Sequence, residues 1–312
     1  MLNPVPNADN ILFKHRFVEQ YSKLTDWERF RKYSLSFLRK SIRVNTIKTS
    51  AKELIDRMSE NWVFEQIPWC SDGFWIEHKE GRIDVGNTIE HALGYYYVQE
   101  AASMIPPIVL DVHEHELILD MAAAPGSKTS QMAAMMKNTG IIVANDPDGQ
   151  RLAALGINLM RCGITSQVIT QMNGEGIKGV FDRILLDAPC SGTGTIRKSL
   201  KTIQMWNPSS IKRLVKLQLR LINHAFDILK PGGVMVYSTC SLEPVENEEV
   251  INTFLNKHPD GELTDIQLEI NHSPAITEFE GNKYSSEISR CLRLWPQDND
   301  TEGFFVAKIR KA

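Results

Sequence analysis

Short apolar runs alternate with longer amphipathic segments from about residue 89 to the end of the chain. The runs within ELILDMA, GIIVAND, SQVITQM, FDRILLDAP and GVMVYSTC predict strands. The run in FDRILLDAP is apolar at successive positions, which predicts a central strand buried on both faces. Helical periodicity marks SKTSQMAAMMKN, DGQRLAALGINLMRCG and SSIKRLVKLQLRLINHAFDILK. Alternating strands and helices predict an α/β fold with a doubly wound, mainly parallel sheet over residues 89–312.

The pattern before residue 89 is mixed. A helical periodicity in FVEQYSKLTDWERFRKYSLSFLRK is followed by a strand pattern in SIRVNTIK and a helical one in SAKELIDRMSEN, and then by strand patterns in WVFEQIPW and FWIEH. Residues 1–88 are therefore predicted to form a small α+β unit with a helical lead-in. No internal repeat or low-complexity tract interrupts either part of the chain.

Composition adds few constraints to this picture. With 312 residues, 42% of them hydrophobic and 23% charged, the chain has the composition of globular proteins. No apolar run reaches the roughly 18 residues of a membrane span, and MLNPVPNADN lacks the apolar core of a signal peptide. The cysteines are odd in number, widely spaced and without a C-x-x-C pair, at Cys70, Cys162, Cys190, Cys240 and Cys291. We therefore expect a monomeric cytoplasmic protein without disulfides, bound metal or membrane partner.

Charge is unevenly distributed along the chain. The net charge is −3, yet residues 1–58 contain 12 Lys and Arg against 6 Asp and Glu. This excess fits a surface that faces RNA, and it fits a solvated helical surface equally well. The cations that would contact phosphates are Lys14, Arg16, Arg29, Arg31, Lys32, Arg39 and Lys40.

The ends of the first two predicted strands of the sheet carry features of a ligand site. The first strand runs into DMAAAPGSKT, where small residues let a ligand approach the backbone closely, but neither G-x-G-x-x-G nor a P-loop is present. The second ends in VANDPDG, where Asp146 could cap the next helix or bind both ribose hydroxyls of a nucleoside. Taken with the loop, ribose binding is favoured. A nucleoside cofactor without a pyrophosphate cradle indicates S-adenosylmethionine.

Two later strands end in DAPCSG and YSTCS, so that Cys190 and Cys240 are predicted at the same edge of the sheet. A lone cysteine there would usually be a small buried apolar residue. Two cysteines beside Asp187 fit a particular chemistry. Carbon 5 of cytosine is too electron-poor to attack a methyl sulfonium, but a thiolate that adds to carbon 6 converts the ring to an enamine. That reaction needs a cysteine nucleophile and an acid near nitrogen 3.

These motifs resemble the Sun/nucleolar-protein family of RNA cytosine-C5 methyltransferases, in particular its archaeal tRNA-modifying members. The matching segments are SIRVNT, GYYYVQEAASMIPP, DMAAAPGSKT, VAND, FDRILLDAPCSGTG, LKPGG, YSTCSLEPVENEEV and GFFVAKIRK. The combination of DAPCSG and STCS in this order is highly specific. The resemblance implies a Rossmann-like class I methyltransferase that uses S-adenosylmethionine and acts on RNA, with tRNA as the main expectation and rRNA as the alternative.

The resemblance also implies roles for individual residues. Cys240 would attack carbon 6 and Cys190 would assist release of the methylated base, while Asp187, which borders the cofactor, would face nitrogen 3 with Lys128 beside it. The cofactor's methionine moiety would lie against the loop, its ribose on Asp146, and its adenine near Asn173, where the family usually has aspartate. The loop residues are Ala122, Ala123, Ala124, Pro125, Gly126, Ser127 and Lys128.

Three questions stay open at this level. Arg43 and Asn45 match a family motif near the active site, but a packing role is equally compatible with them. The N-terminal unit resembles a truncated RNA-recognition fold without the aromatic RNP1 signature, so base stacking on its sheet is not implied. A catalytically idle RNA-binding or ribosome-assembly factor is the main rival function. A small-molecule or protein methyltransferase is disfavoured, because it would have no use for two cysteines at strand ends.

Overall fold

The computed structural model describes residues 2–81 and 83–312. Its N-terminal part contains an antiparallel sheet of four strands in the order β2-β3-β1-β4. These strands are β1 (Ser41–Val44), β2 (Trp62–Gln66), β3 (Gly73–His78) and β4 (Tyr96–Val98), and the helices of this part are α1 (His15–Tyr21), α2 (Trp27–Ser34), α3 (Ala51–Met58) and α4 (Ile89–Ala92). The fourth strand lies beyond residue 88, so the sheet takes in chain that follows the expected end of the N-terminal unit.

The segment with helical periodicity in the lead-in forms two helices, α1 and α2. The second helix begins after Asp26, whose side chain caps α2 by accepting a hydrogen bond of 3.1 Å from the backbone N–H of Arg29. Both helices pack against Trp206, Leu242 and Trp295 of the second part of the chain. The strands β1 to β4 and α3 bury a different apolar cluster, around Ile42, Leu54, Phe74 and Tyr96. The lead-in helices therefore share a core with the larger sheet.

The larger sheet follows the order β10-β14-β9-β8-β5-β6-β7, with β13 paired to β14. Its strands are β5 (Leu117–Asp120), β6 (Ile141–Asn145), β7 (Gln167–Thr170), β8 (Phe181–Asp187), β9 (Leu229–Thr239), β10 (Gly261–Leu263), β13 (Leu292–Leu294) and β14 (Phe304–Lys311), and a separate hairpin contains β11 (Glu278–Phe279) and β12 (Asn282–Lys283). The pairs among β5 to β9 are parallel, whereas β14 runs antiparallel to β9. The predicted doubly wound, mainly parallel α/β sheet is confirmed.

Helices cover both faces of this sheet and bury two apolar clusters against it. The helices of this part of the chain are α5 (Ile105–Leu110), α6 (Ser127–Met135), α7 (Gly149–Cys162), α8 (Lys201–Met205), α9 (Pro208–Asp227), α10 (Glu248–Lys257) and α11 (Pro296–Asn299). Short 3-10 helices lie at Ala8–Asn10, Val85–Asn87, Ala102–Met104, Gly174–Gly176, Thr193–Thr195, Pro244–Glu246 and Ser286–Arg290. Across residues 2–81 and 83–312, no helix is long and apolar enough to cross a membrane.

The strand order fixes where a ligand can bind. The chain builds β5, β6 and β7 toward one edge and then returns to place β8 and β9 on the other side of β5. This reversal between β5 and β8 opens a crevice at the carboxyl ends of the strands, which is where open α/β sheets bind ligands. The loops after β5 and β8, which contain the small-residue motif and DAPCSG, border that crevice.

Candidate active site

The loop between β5 and α6 is held in one conformation by its neighbours. Gly126 has a φ of +103°, and a Cβ at this position would lie 2.9 Å from Leu155 Cδ1, so glycine is required on both counts. Ala123 and Ala124 are buried, and Arg151 Nη2 donates a hydrogen bond of 2.6 Å to the carbonyl oxygen of Ala124. The loop thus presents small side chains and ordered backbone at the crevice.

Asp146, directly after β6, is fully buried and does not cap the next helix. That role belongs to Asp148, whose Oδ1 accepts a hydrogen bond of 2.8 Å from the backbone N–H of Gln150. Asp146 Oδ1 accepts from the N–H of Asp148 at 3.0 Å, and its Oδ2 lies 3.1 Å from Arg151 Nη1 but forms no hydrogen bond. A buried carboxylate oxygen without a hydrogen bond is costly, so this oxygen is an acceptor available to a ligand.

A residue that the sequence did not single out connects the loops at this end of the sheet. Asn145 is fully buried, and its side-chain N–H groups donate to the carbonyl oxygens of Met121 at 3.1 Å and Met172 at 3.0 Å. It thereby ties the loop after β5 to the loop after β7. Asn173 follows Met172, is exposed, and begins the turn at Gly174–Gly176. In the sequence, the only signal for Asn145 is its place in VAND, directly before Asp146.

Lys128 and Asp187 form an ion pair across the crevice, with 2.7 Å between Lys128 Nζ and Asp187 Oδ2. Burial would lower the pKa of Lys128, but the Asp187 carboxylate outweighs it and raises that pKa. The other oxygen of Asp187 accepts a hydrogen bond of 2.7 Å from Ser238 Oγ. Asp120 lies close by, and burial raises its pKa to about 7. The Asp187 carboxylate is therefore fixed by two side chains from two different strands or helices.

The two cysteines of the strand-end motifs lie side by side in this crevice, which is also called the pocket below. Their Sγ atoms are 3.4 Å apart, although 50 positions separate Cys190 from Cys240 in the chain. Both side chains are half-buried, whereas Cys70, Cys162 and Cys291 are buried elsewhere. The hydrogen bond with Cys240 raises the pKa of Cys190 well above its usual value, and burial and the charges of Cys240, Glu246 and Asp187 raise it further.

The remaining candidates from the sequence are Arg43 and Asn45 of the N-terminal part. Arg43 and Asn45 are buried and bond to protein groups. Arg43 donates to Gln99 Oε1 at 2.8 Å and to Ser130 Oγ at 2.8 Å, and the side chain of Asn45 donates to the carbonyl oxygen of Cys162 at 2.7 Å. They join the N-terminal sheet to helices α6 and α7. In the described part of the chain, no three His, Cys, Asp or Glu side chains are grouped so that they could hold a metal ion.

The fold and the site define a Rossmann-like methyltransferase. Residues 107–310 match the family described as 16S rRNA methyltransferase RsmB/F, and residues 13–101 match the N-terminal domain of 16S rRNA methyltransferase RsmF. The chain therefore belongs to the RsmB/F family of methyltransferases, and the Sun-type resemblance stated from its motifs is confirmed.

Individual relatives agree with this assignment. The chain is 47% identical to the tRNA (cytosine(49)-C(5))-methyltransferase of Pyrococcus abyssi, over 95% of this chain and 96% of the relative. It is 43% identical to the ribosomal RNA small subunit methyltransferase F of Shewanella piezotolerans, over 91% of this chain but only 60% of that longer relative. The crystal structure of a methyltransferase homolog protein from Pyrococcus horikoshii superposes with a TM-score of 0.87 at 38% identity, over 96% of both chains.

Proposed function

We propose that this protein methylates carbon 5 of cytosine in RNA, with S-adenosylmethionine as the methyl donor and tRNA as the substrate. The observation that carries the proposal is the pair of strand-end cysteines whose Sγ atoms are 3.4 Å apart beside the Asp187 carboxylate. The choice of tRNA is supported by 47% identity to the tRNA (cytosine(49)-C(5))-methyltransferase, which this chain matches over 96% of its length. The rRNA alternative is supported by relatives named for rRNA that share 39–44% identity.

The residues that would hold the cofactor are those at the ends of β5, β6 and β7. Asp146 Oδ2 faces Arg151 but accepts no hydrogen bond, and it fits the hydroxyls of a ribose because a hydroxyl donor would satisfy a buried acceptor. The loop Ala122–Lys128 would lie against the methionine moiety, and Asn173 could accept from the adenine amino group through its carbonyl oxygen. When bound there, S-adenosylmethionine would supply an electrophilic methyl group.

The two cysteines would lose their protons at different stages of the reaction, Cys240 before attack and Cys190 before release. The hydrogen bond with Cys240 and burial raise the pKa of Cys190, so Cys190 would hold its proton while Cys240 attacks. The Cys240 thiolate would add to carbon 6 of cytosine, and a proton from solvent would reach nitrogen 3, where the Asp187 carboxylate would share it. Lys128 would orient the Asp187 carboxylate through their 2.7 Å ion pair.

Release would follow from the same electrostatics. Once Cys240 is a thioether on carbon 6, the hydrogen bond that contributes most to the raised pKa of Cys190 is lost, and the Cys190 proton can pass to solvent. The Cys190 thiolate would then accept the proton of carbon 5, the electrons of that C–H bond would form the C5–C6 double bond, and the C6–S bond would break. Cys240 departs as a thiolate, and the net products besides methylated RNA are S-adenosylhomocysteine and one proton.

The substrate is tested by incubating the purified protein and S-adenosylmethionine with unmodified total tRNA and, separately, with unmodified 16S rRNA. We expect new 5-methylcytosine in tRNA by bisulfite sequencing, and none with Cys240→Ala. Methylation of rRNA alone would replace tRNA with rRNA in the proposal. If neither RNA is methylated while the protein still binds tRNA, the protein is the idle RNA-binding factor instead.

The basic lead-in supports RNA binding through fewer side chains than its charge indicates. Lys14, Arg31 and Lys40 donate to backbone carbonyl oxygens, and Arg39 pairs with Glu65 and stacks 4.1 Å from the Trp75 ring centroid. The exposed cations of this set without a hydrogen bond or ion pair in the described part of the chain are Arg16, Arg29 and Lys32.

Replacing Arg16, Arg29 and Lys32 together by glutamine is expected to weaken tRNA binding and to flatten its salt dependence. Each phosphate contact contributes about 0.7–0.9 to the slope of log K against log salt, so the slope of the triple variant should be smaller by about 2. Filter binding between 50 and 300 mM salt measures this slope. The control replaces exposed Lys178, Lys257 and Lys283, which makes the same change in net charge. Equal slopes for both triple variants would show that the lead-in makes no specific phosphate contacts.

A further inference from the structure

A buried carboxylate lies behind the two cysteines. Glu246 is fully buried in the 3-10 helix Pro244–Glu246, and its Oε1 accepts a hydrogen bond of 2.9 Å from the backbone N–H of Ser191. Its Oε2 accepts from Ser241 Oγ at 2.6 Å and also from Ser191 Oγ. Ser191 directly follows Cys190, and Ser241 directly follows Cys240. One side chain is thus bonded to both cysteine loops.

A third element joins the same carboxylate. Gln218 of α9 is fully buried, and its Nε2 donates to Glu246 Oε1 at 3.0 Å and to the carbonyl oxygen of Pro189 at 2.9 Å. The Tyr237 hydroxyl donates to the backbone oxygen of Glu246 at 2.7 Å. Glu246 therefore connects the loop after β8, the loop after β9 and the long helix that covers them.

The charge of this carboxylate is not cancelled by a cation. The donors to Glu246 are serine hydroxyls, a backbone N–H and a glutamine amide, and no ion pair to it occurs in residues 2–81 or 83–312. The Asp187 charge, by contrast, is paired with Lys128. Within the described residues, the hydrogen bonds to the Glu246 carboxylate therefore come from neutral groups.

We infer that Glu246 is a positioning residue for the two cysteines: it ties their loops into one unit and places a negative charge beside Cys190, so that a second thiolate is disfavoured next to Cys240. This inference rests on the proposed function for its purpose, since it explains why only one of two adjacent thiols would attack. Removing one partner of such a buried, fully hydrogen-bonded group is expected to disturb all of its donors.

The titratable groups around Cys190 are Cys240, Asp187, Tyr237 and Glu246. The hydrogen bond with Cys240 is the largest cause of the raised pKa of Cys190, followed by burial, the charge of Cys240 and then the charge of Glu246. Replacing Glu246 by glutamine removes one of these charges and retains an oxygen acceptor in a side chain of nearly the same shape. The Cys190 pKa should therefore fall, while Cys240 keeps its neighbours.

The test measures alkylation of each cysteine in the protein without RNA or cofactor, by iodoacetamide between pH 6 and pH 10 with peptide-resolved mass spectrometry. At pH 8, Glu246→Gln should raise the Cys190 rate about 3- to 10-fold, which corresponds to a pKa lower by roughly 0.5–1, because the thiolate is the reactive form. Glu243→Gln is the matched control. Glu243 is equally buried on the same loop, but its carboxylate accepts from Tyr21, Gln20 and Trp206 and not from the cysteine loops.

An unchanged Cys190 rate in a folded Glu246→Gln protein overturns the electrostatic part of the inference, and so does an equal rise in Glu243→Gln. Should Glu246→Gln fail to fold, Ser191→Ala and Ser241→Ala each delete a hydroxyl donor to the Glu246 carboxylate and keep its charge. Diamide should then form the Cys190–Cys240 disulfide more slowly in both variants than in the wild type. Unchanged rates overturn the inference that Glu246 holds the two cysteine loops together. No RNA is involved, so these results are independent of whether the protein methylates cytosine.

Discussion

Cys240→Ala is expected to abolish methylation and to release its RNA in denaturing gels, whereas Cys190→Ala should accumulate enzyme covalently joined to methylated RNA. The two thiols occupy one pocket with 3.4 Å between their Sγ atoms, but they would act at opposite ends of the cycle. Without Cys240 no bond to carbon 6 forms. Without Cys190 the bond forms, but the proton of carbon 5 has no base, and general acid–base catalysis is typically worth about 10²–10⁴ in rate.

The measurement is denaturing electrophoresis of each variant after incubation with substrate RNA and S-adenosylmethionine, with turnover followed in parallel. The double cysteine variant should form no adduct, and Asp187→Ala should slow adduct formation in the Cys190→Ala background because Asp187 acts before the bond to carbon 6 is complete. Cys291→Ala, which alters a buried thiol outside the pocket, is the control and should turn over normally. An adduct in Cys240→Ala and none in Cys190→Ala would reverse the two assignments.

Asp146→Ala is expected to weaken S-adenosylmethionine binding at least tenfold in calorimetric titration, and the binding of the wild type should survive a chelator. Asp146 is fully buried, and its Oδ2 has no hydrogen bond in the described part of the chain. Hydrogen bonds from ribose hydroxyls to this charged acceptor are worth about 1.5–3 kcal/mol, which corresponds to a factor of at least ten in affinity.

Asp148→Ala separates ligand binding from helix stability. Asp148 is the residue that caps α7, so its loss should lower the melting temperature and leave the affinity for the cofactor nearly unchanged. Asp146→Asn keeps the shape of the side chain and removes its charge, and an intermediate loss of affinity is expected. Undiminished binding in Asp146→Ala would rule out the ribose contact, whatever the variant's stability.

The elements of the sheet were predictable because each is dominated by its local pattern. Apolar runs such as Ile184–Leu186 are buried in any central parallel strand, so their burial does not depend on which neighbour they receive. The lead-in was less predictable. Leu24 keeps the helical spacing of the apolar positions between the two helices, and only the cap at Asp26 marks the start of the second helix. Hydrophobic periodicity alone does not show where that helix begins.

The site shows the same division. Strand ends could be placed together by a general rule of parallel sheets, which brought Asp146, Asp187 and the two cysteines to one edge from sequence alone. The groups that hold them could not be found in this way. Ser238 reaches Asp187 because β8 and β9 pair in the register that sets these two residues opposite each other. Asn145 and Glu246 are polar residues beside apolar ones, and nothing local distinguishes a buried polar residue from an exposed one.

The sequence by itself determined the fold class, the family and the residue types at the strand ends, because short-range periodicity and motif order are carried by neighbouring residues. The tertiary structure alone decided which partners those residues have. It assigned the helix cap to Asp148 and left Asp146 with a buried oxygen that accepts no hydrogen bond, and it brought two loops 50 residues apart onto one carboxylate. Such contacts depend on strand register and on packing between distant segments, and neither is written in any local stretch of the chain.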